Sequence, residues 1–174
     1  MDGAKAIWIL FGDIRGAEHR RPWLESIYRK HQDAAESKGY TLGFSQSQGT
    51  STKAFLSLIK DPVTYMLIWH SHGTGDGGIW TAGDGKPLNP ARVGRAGPNV
   101  KKVALWACKA GYPNAAWPQT LGLANSLKET NFLAPNFFIY AGAESGWQCK
   151  SKVDEFFATG AQRPSFARWI DELP

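Results

Sequence analysis

The sequence predicts a three-layer α/β/α sandwich with a mostly parallel central sheet. Short, uninterrupted apolar runs recur along the chain, as expected of strands that helices cover on both faces. Segments with apolar residues at helical spacing separate these runs. No internal repeat or linker divides the 174 residues, so we expect a single domain at 1–174.

The first half of the chain alternates between strand and helix. Gly12 closes the first strand, and Pro22 suits the first turn of the following helix, where a backbone N–H would have no partner. Gly39 ends that helix, and Pro62 ends the next one. The expected elements are a strand at 5–11, a helix at 22–38, a strand at 40–45, a helix opened by the cap candidates at 50–52, and a strand at 65–69.

A glycine-rich segment at 71–98 separates the two halves of the chain. Its composition is typical of a long functional loop or of a short hairpin around Ile79 and Trp80. After this segment the same patterns return. They predict a strand at 103–107, a helix at 114–128, a strand at 137–141 and a helix at 165–173.

The composition excludes several classes of protein. Cys108 and Cys149 are too few for a disulfide-stapled secreted scaffold, which favours a reducing, cytoplasmic setting. The apolar run at 6–11 is too short for a signal peptide or a membrane span, so we expect a soluble protein. The formal charge of +5 comes from scattered basic residues, so we expect neither a nucleic-acid nor a membrane partner.

Reactive side chains follow two of the predicted strands. His70 and His72 come after one apolar run, and Cys108 comes after another. Because the carboxyl ends of strands line the crevice of an open α/β sheet, His72 and Cys108 meet there if the two strands are neighbours. An imidazole can take the proton of a thiol near neutral pH and make it a nucleophile. The sequence therefore predicts a Cys/His dyad that needs no cofactor.

Two short motifs carry a resemblance to a known family. His72-Gly73 follows one strand, and Ala107-Cys108-Lys109-Ala110-Gly111 follows a later one. This arrangement resembles the caspase-like cysteine peptidases of clan CD, which include caspases, gingipains, legumains, separases and the cysteine protease domains of bacterial toxins. The similar order of elements extends the resemblance over most of the chain.

The resemblance implies roles for individual residues. Cys108 would be the nucleophile, His72 the general base and acid, and the N–H groups of Gly73 and Cys108 the oxyanion hole. His70 would be structural or would support the site from behind. The substrate would be a protein or peptide. A toxin or effector domain acting in a target cell, with an anionic activator such as a polyphosphorylated inositol, is a secondary hypothesis.

The same resemblance suggests residues that bind substrate but leaves the preferred side chain open. Arg15-Gly16-Ala17-Glu18 is similar to the segment whose arginine helps caspases bind an aspartate, although a threonine is missing here. Trp106 stands where caspases have a glutamine. Asp13 or Glu144 would instead select a basic side chain, as acidic pocket residues do in some relatives.

Two other hypotheses compete with the thiol enzyme. His70 and His72 have the spacing of metal ligands, and together with Thr81 and Asp84 they are similar to the zinc site of JAMM-type metalloproteases. The second alternative is a binding module of the same fold without catalysis. Cys149 follows no strand motif, so we interpret it as a structural or exposed thiol.

Overall fold

A computed structural model of the chain describes residues 3–123, 132–134 and 168–174. In chain order the strands are β1 (Lys5–Phe11), β2 (Tyr40–Phe44), β3 (Thr64–His70), β4 (Ile79–Trp80), β5 (Pro87–Leu88), β6 (Lys102–Trp106) and β7 (Phe132–Leu133). The helices are α1 (Arg21–Arg29), α2 (Gln32–Glu36), α3 (Thr52–Lys60), α4 (Pro90–Val93), α5 (Trp117–Leu121) and α6 (Arg168–Asp171).

The central sheet has the strand order β2-β1-β3-β6-β7, and each neighbouring pair is parallel. Strands β4 and β5 form a separate antiparallel pair inside the glycine-rich segment. The prediction of an α/β fold with a mostly parallel central sheet is therefore confirmed, as is the short hairpin at Ile79 and Trp80.

Apolar side chains cover both faces of the sheet, which explains why the strands are continuous apolar runs. Leu67 and Trp69 of β3 belong to one buried cluster, together with residues of α3 and α5. Met66 and Ile68, which alternate with them, belong to a second cluster with residues of α1, α2 and α6. Successive side chains of β3 therefore point to opposite faces of the sheet, and each face packs into its own apolar cluster.

Two predicted helices differ from the observed ones. The single helix expected at 22–38 is wrong, because α1 ends at Arg29 and α2 begins at Gln32. His31 stands at the N-cap position of α2 at this break without a capping side-chain bond, and its ring Nδ1 lies 2.6 Å from a carboxylate oxygen of Asp171 in α6. The helix expected at 114–128 is also wrong in its described part, because α5 spans only Trp117–Leu121 and ends at Gly122. Its expected end at 124–128 lies outside the described residues.

The local sequence explains the short α5. Pro118 sits in its first turn, and Gly122 adopts φ +75, the left-handed conformation that ends helices. The sequence patterns predicted neither α4 nor β7, which pairs with β6. The strand predicted at 137–141 lies outside the described residues. No helix in the part of the chain that the structure describes is long and apolar enough to cross a membrane.

Candidate active site

The register of the sheet brings the two predicted motifs together. Strands β3 and β6 are neighbours, and His70 pairs with Trp106 at their carboxyl ends. The N–H of Ser71 then donates to the Trp106 carbonyl over 3.1 Å, which extends the pairing beyond the strands. The segment with His72 therefore leaves the sheet beside the segment with Cys108, as the sequence predicted.

Gly73 lies directly against the backbone of Cys108. A Cβ atom on Gly73 would be 2.6 Å from the amide nitrogen of Cys108 and closer still to its carbonyl oxygen. Backbone atoms cannot move aside as a flexible side chain can, so only glycine fits here. The glycine after His72 is thus required by the close approach of the two motifs.

Cys108 lies in a strained turn directly after β6. The N–H of Ala110 donates to the Ala107 carbonyl over 3.1 Å, which closes the turn around Cys108 and Lys109. Lys109 has φ +53, in the left-handed region that non-glycine residues rarely adopt. Such strain is concentrated at functional sites, where the surrounding structure maintains it.

The position and tautomer of His72 are set by its hydrogen bonds. Its Nε2–H donates to the carbonyl oxygen of Arg15 over 2.6 Å. Since a carbonyl oxygen only accepts, a neutral His72 carries its proton on Nε2 and leaves Nδ1 as an acceptor. The backbone of His72 donates to the Asp13 carbonyl over 2.8 Å and accepts from the Trp80 N–H over 3.0 Å. These bonds fix the ring and leave Nδ1 able to accept a proton.

Asp13 and Arg15, both predicted to bind substrate, form an ion pair with each other. The Asp13 carboxylate accepts from Nη2 of Arg15 over 2.6 Å, and the Arg15 side chain is 83% exposed. Hydrogen bonding to Arg15 lowers the pKa of Asp13, and the nearby charge of His72 contributes to the same shift. The pair therefore lies beside the imidazole.

The β4–β5 hairpin holds the Gly73 segment in place. Gly73 forms a bridge with Ile79, flanked by the bonds from Thr74 to Gly78 and from Trp80 to His72. In this antiparallel pattern the N–H of Gly73 points away from Ile79. It therefore takes no part in the pairing with the hairpin.

Of the remaining substrate-binding candidates, Trp106 joins this arrangement through its backbone, which pairs with His70 and accepts from the Ser71 N–H. Trp106 is half-buried at the end of β6. Glu144 lies outside the described residues, and so does Cys149.

His70 has a different environment from His72. Its Nε2 lies 2.9 Å from the Tyr28 hydroxyl, and its ring stacks on Phe11 with centroids 5.1 Å apart. Complete burial lowers the pKa of His70 to about 3. These contacts make His70 a neutral residue of the core, in agreement with a structural role.

The zinc hypothesis based on His70, His72 and Asp84 is not supported by these positions. Both His rings are held by bonds to other groups, and the Asp84 carboxylate accepts from the backbone N–H of Thr52 over 2.6 Å. Among the residues that the structure describes, no group of three or more His, Cys, Asp or Glu side chains could hold a metal ion.

Asp84 has a structural task that the sequence analysis missed. Its carboxylate binds the first turn of α3 through Thr52 and also accepts from the Thr81 hydroxyl over 2.8 Å. These bonds hold the pKa of Asp84 below its usual range, with the Thr52 backbone as the main cause. The glycine-rich segment is thereby tied to a helix end, where an acidic group is favourable.

We expect Asp84→Ala to lower the free energy of unfolding by about 1–2 kcal/mol, the usual cost of losing a helix cap. Urea unfolding monitored by tryptophan fluorescence measures the change. Asp33→Ala is the matched control, because Asp33 is an exposed acid in the first turn of α2. Equal losses in the two variants would contradict the role of Asp84.

No protein-family model matches the chain, and no curated protein matches its sequence.

Proposed function

We propose that the protein is a cysteine endopeptidase in which Cys108 is the nucleophile and His72 the general base and acid. The observation that carries the proposal is the close packing of Gly73 on the backbone of Cys108, beside a His72 ring whose Nε2 is bonded to Arg15. If Cys108 were only a core residue, it would need neither a glycine at position 73 nor an imidazole held in place at position 72.

The hydrogen bond of His72 defines its part in the reaction. With its proton on Nε2, His72 accepts the thiol proton of Cys108 at Nδ1. The thiolate then attacks the carbonyl carbon of the scissile peptide bond and forms a carbon–sulfur bond. As the carbon–nitrogen bond breaks, His72 gives the proton to the leaving amine. His72 then deprotonates a water molecule, and the resulting hydroxide attacks the carbonyl carbon of the thioester. As the carbon–sulfur bond breaks, the acyl product leaves as a carboxylic acid and His72 returns the proton to the Cys108 thiolate.

The oxyanion of the tetrahedral intermediate needs hydrogen-bond donors. The N–H groups of Gly73 and Cys108 are the candidates, because the two backbones are in contact and the Gly73 N–H points away from the hairpin. Backbone donors fixed in this way require no reorganisation during the reaction.

The resemblance to the caspase-like peptidases supports the same assignment, because it names these residues independently of the geometry. The parallel α/β sheet agrees with that resemblance. The proposal includes a protein or peptide substrate and a cytoplasmic setting, either in the producing cell or in the target cell of a delivered effector. An anionic activator belongs to the effector form of the hypothesis.

The test combines alkylation with a cleavage assay. The protein is treated with iodoacetamide, the labelled cysteine is identified by mass spectrometry, and cleavage of a peptide library is followed in the same samples. We expect cleavage to fall in step with labelling of Cys108, and Cys108→Ala to lower its rate by about 10³-fold or more. Cys149→Ser is the matched control and should retain activity.

The other hypotheses predict different outcomes. Cleavage that survives Cys108→Ala and disappears with a chelator would establish a metal enzyme. If no peptide is cleaved and Cys108 reacts no faster than Cys149, the protein is a binding module. Either result would overturn the proposal.

A further inference from the structure

Two carboxylates bind the backbone of the loop after β1: Glu18 accepts from the Gly16 N–H over 2.8 Å, and Asp13 makes the larger number of bonds. The Asp13 carboxylate accepts from the backbone N–H of Arg15 over 3.0 Å, from its Nε over 2.9 and 3.0 Å, and from its Nη2 over 2.6 Å. The backbone bond is an Asx turn, and the side-chain bonds form the two-pronged contact typical of a guanidinium on a carboxylate. Residues 13–15 are thus fixed as a tight turn.

This turn also contacts His72 at both ends. The carbonyl of Asp13 accepts the backbone N–H of His72 over 2.8 Å, and the carbonyl of Arg15 accepts the ring Nε2–H over 2.6 Å. The peptide N–H of Asp13 is anchored in turn on the Trp80 carbonyl over 2.9 Å. The direction of the Arg15 carbonyl, and therefore the orientation of the imidazole, depends on the geometry of the turn and on the bond from the Gly16 N–H, in the same peptide unit, to Glu18.

A second Asx bond occurs at the opposite end of the sheet. Asp61 accepts the N–H of Val63 over 2.9 Å at the connection between α3 and β3. In that turn no ion pair follows among the described residues. The turn at Asp13 adds the guanidinium contact and places the carboxylate close enough to His72 for their charges to interact.

We propose that Asp13 and Arg15 are positioning residues for His72, and that their ion pair holds the Arg15 carbonyl on Nε2 of the ring. The inference rests on the proposed function, and it explains how His72, the proposed base, is kept in the Nε2–H tautomer. Arg15 then acts through its backbone carbonyl, which binds the His72 ring. The Arg15 guanidinium and the Asp13 carboxylate bind each other, so neither side chain is available to select the substrate.

The test is a double-mutant cycle of Asp13→Ala and Arg15→Ala with kinetics on a cleaved peptide. We expect each variant to lower kcat about 10- to 100-fold with little change in KM, because a displaced base slows the chemical step without altering the contacts that bind substrate. Asp13→Ala removes the ion pair and the Asx bond, whereas Arg15→Ala removes the ion pair alone, so the double variant should lose no more than Asp13→Ala. Iodoacetamide labelling of Cys108 should slow in parallel, because this small reagent needs no substrate pocket.

A second readout does not depend on catalysis. In ¹⁵N-labelled protein, the ring nitrogens of His72 should show the Nε2–H tautomer in the wild type and a mixture of tautomers in both variants. His72→Gln assigns the signals, and thermal unfolding checks that the variants fold. Asp61→Ala is the matched control, because it removes an Asx bond at the other end of β3.

Three outcomes would overturn the inference. They are an unchanged tautomer in both variants, a rise in KM with unchanged kcat, and a change of substrate preference in Arg15→Ala. Each leaves the proposed peptidase intact, whereas a wild-type protein that cleaves no peptide refutes the peptidase itself. The tautomer measurement still tests the ion pair in that case.

Discussion

Alanine in place of Gly73 is expected to lower the free energy of unfolding by about 3 kcal/mol or more, at the upper end of overpacking costs. The added Cβ would lie 2.6 Å from the Cys108 nitrogen and closer still to its carbonyl oxygen, so one of the two backbones must move. Urea unfolding measures the loss. Labelling of Cys108 by iodoacetamide should also change, because the turn that carries the thiol is displaced.

Gly75 provides the matched control for this substitution. A Cβ atom on Gly75 would meet nothing within 4 Å, and Gly75 is in the same loop two residues later. Gly75→Ala should therefore change stability by about 0.5 kcal/mol or less. If Gly73→Ala were as stable as Gly75→Ala, the close contact between the two motifs would be refuted, and with it the main support for the proposed site.

Long apolar runs made the central strands predictable. The strand expected at 65–69 corresponds to β3 at Thr64–His70, and the one at 103–107 corresponds to β6 at Lys102–Trp106. A strand buried on both faces needs many apolar residues in succession, which leaves a clear pattern. The two-residue β7 and the four-residue α4 are too short to carry a pattern, so only tertiary contacts define them.

The helices show where local chemistry overrides periodicity. Apolar residues in phase beyond Leu121 favoured a long helix, but Gly122 in the left-handed conformation ends α5. The break at His31 had no such marker in the sequence. There the ring contact with Asp171, a residue 140 positions away, accompanies the end of one helix and the start of the next.

The candidate site divides in the same way between side chains and backbone. His72, Gly73 and Cys108 could be named as candidates from the sequence because the proposed chemistry needs a particular residue type at each position. The carbonyl of Arg15 could not, since every residue has a carbonyl and only the fold decides where it points. An aspartate two residues before the arginine was the one available signal, because Asx turns have that spacing.

The buried His70 gives the second large effect, a loss of stability in acid. Burial lowers its pKa from the ordinary 6.5 to about 3 in the folded protein. Below pH 6.5 the unfolded chain therefore binds a proton on His70 that the folded chain does not. The stabilising contribution of neutral His70 is complete above pH 6.5. As the pH is lowered from 6.5 towards 3, the free energy of unfolding decreases by about 1.4 kcal/mol for each pH unit.

Substituting His70→Gln isolates this contribution. Glutamine has no titratable group, and its terminal amide can still bond to the Tyr28 hydroxyl that now lies 2.9 Å from Nε2 of His70. Between pH 7 and pH 5 the wild type should lose about 2 kcal/mol more stability than this variant, as measured by urea unfolding. His19→Gln, at an exposed histidine, should retain the wild-type slope.

Equal slopes in the wild type and His70→Gln would mean that His70 becomes protonated in the folded protein. Its stacking on Phe11 and its bond to Tyr28 would then not describe a closed core beneath the site, because an imidazolium there would need water or an acidic partner.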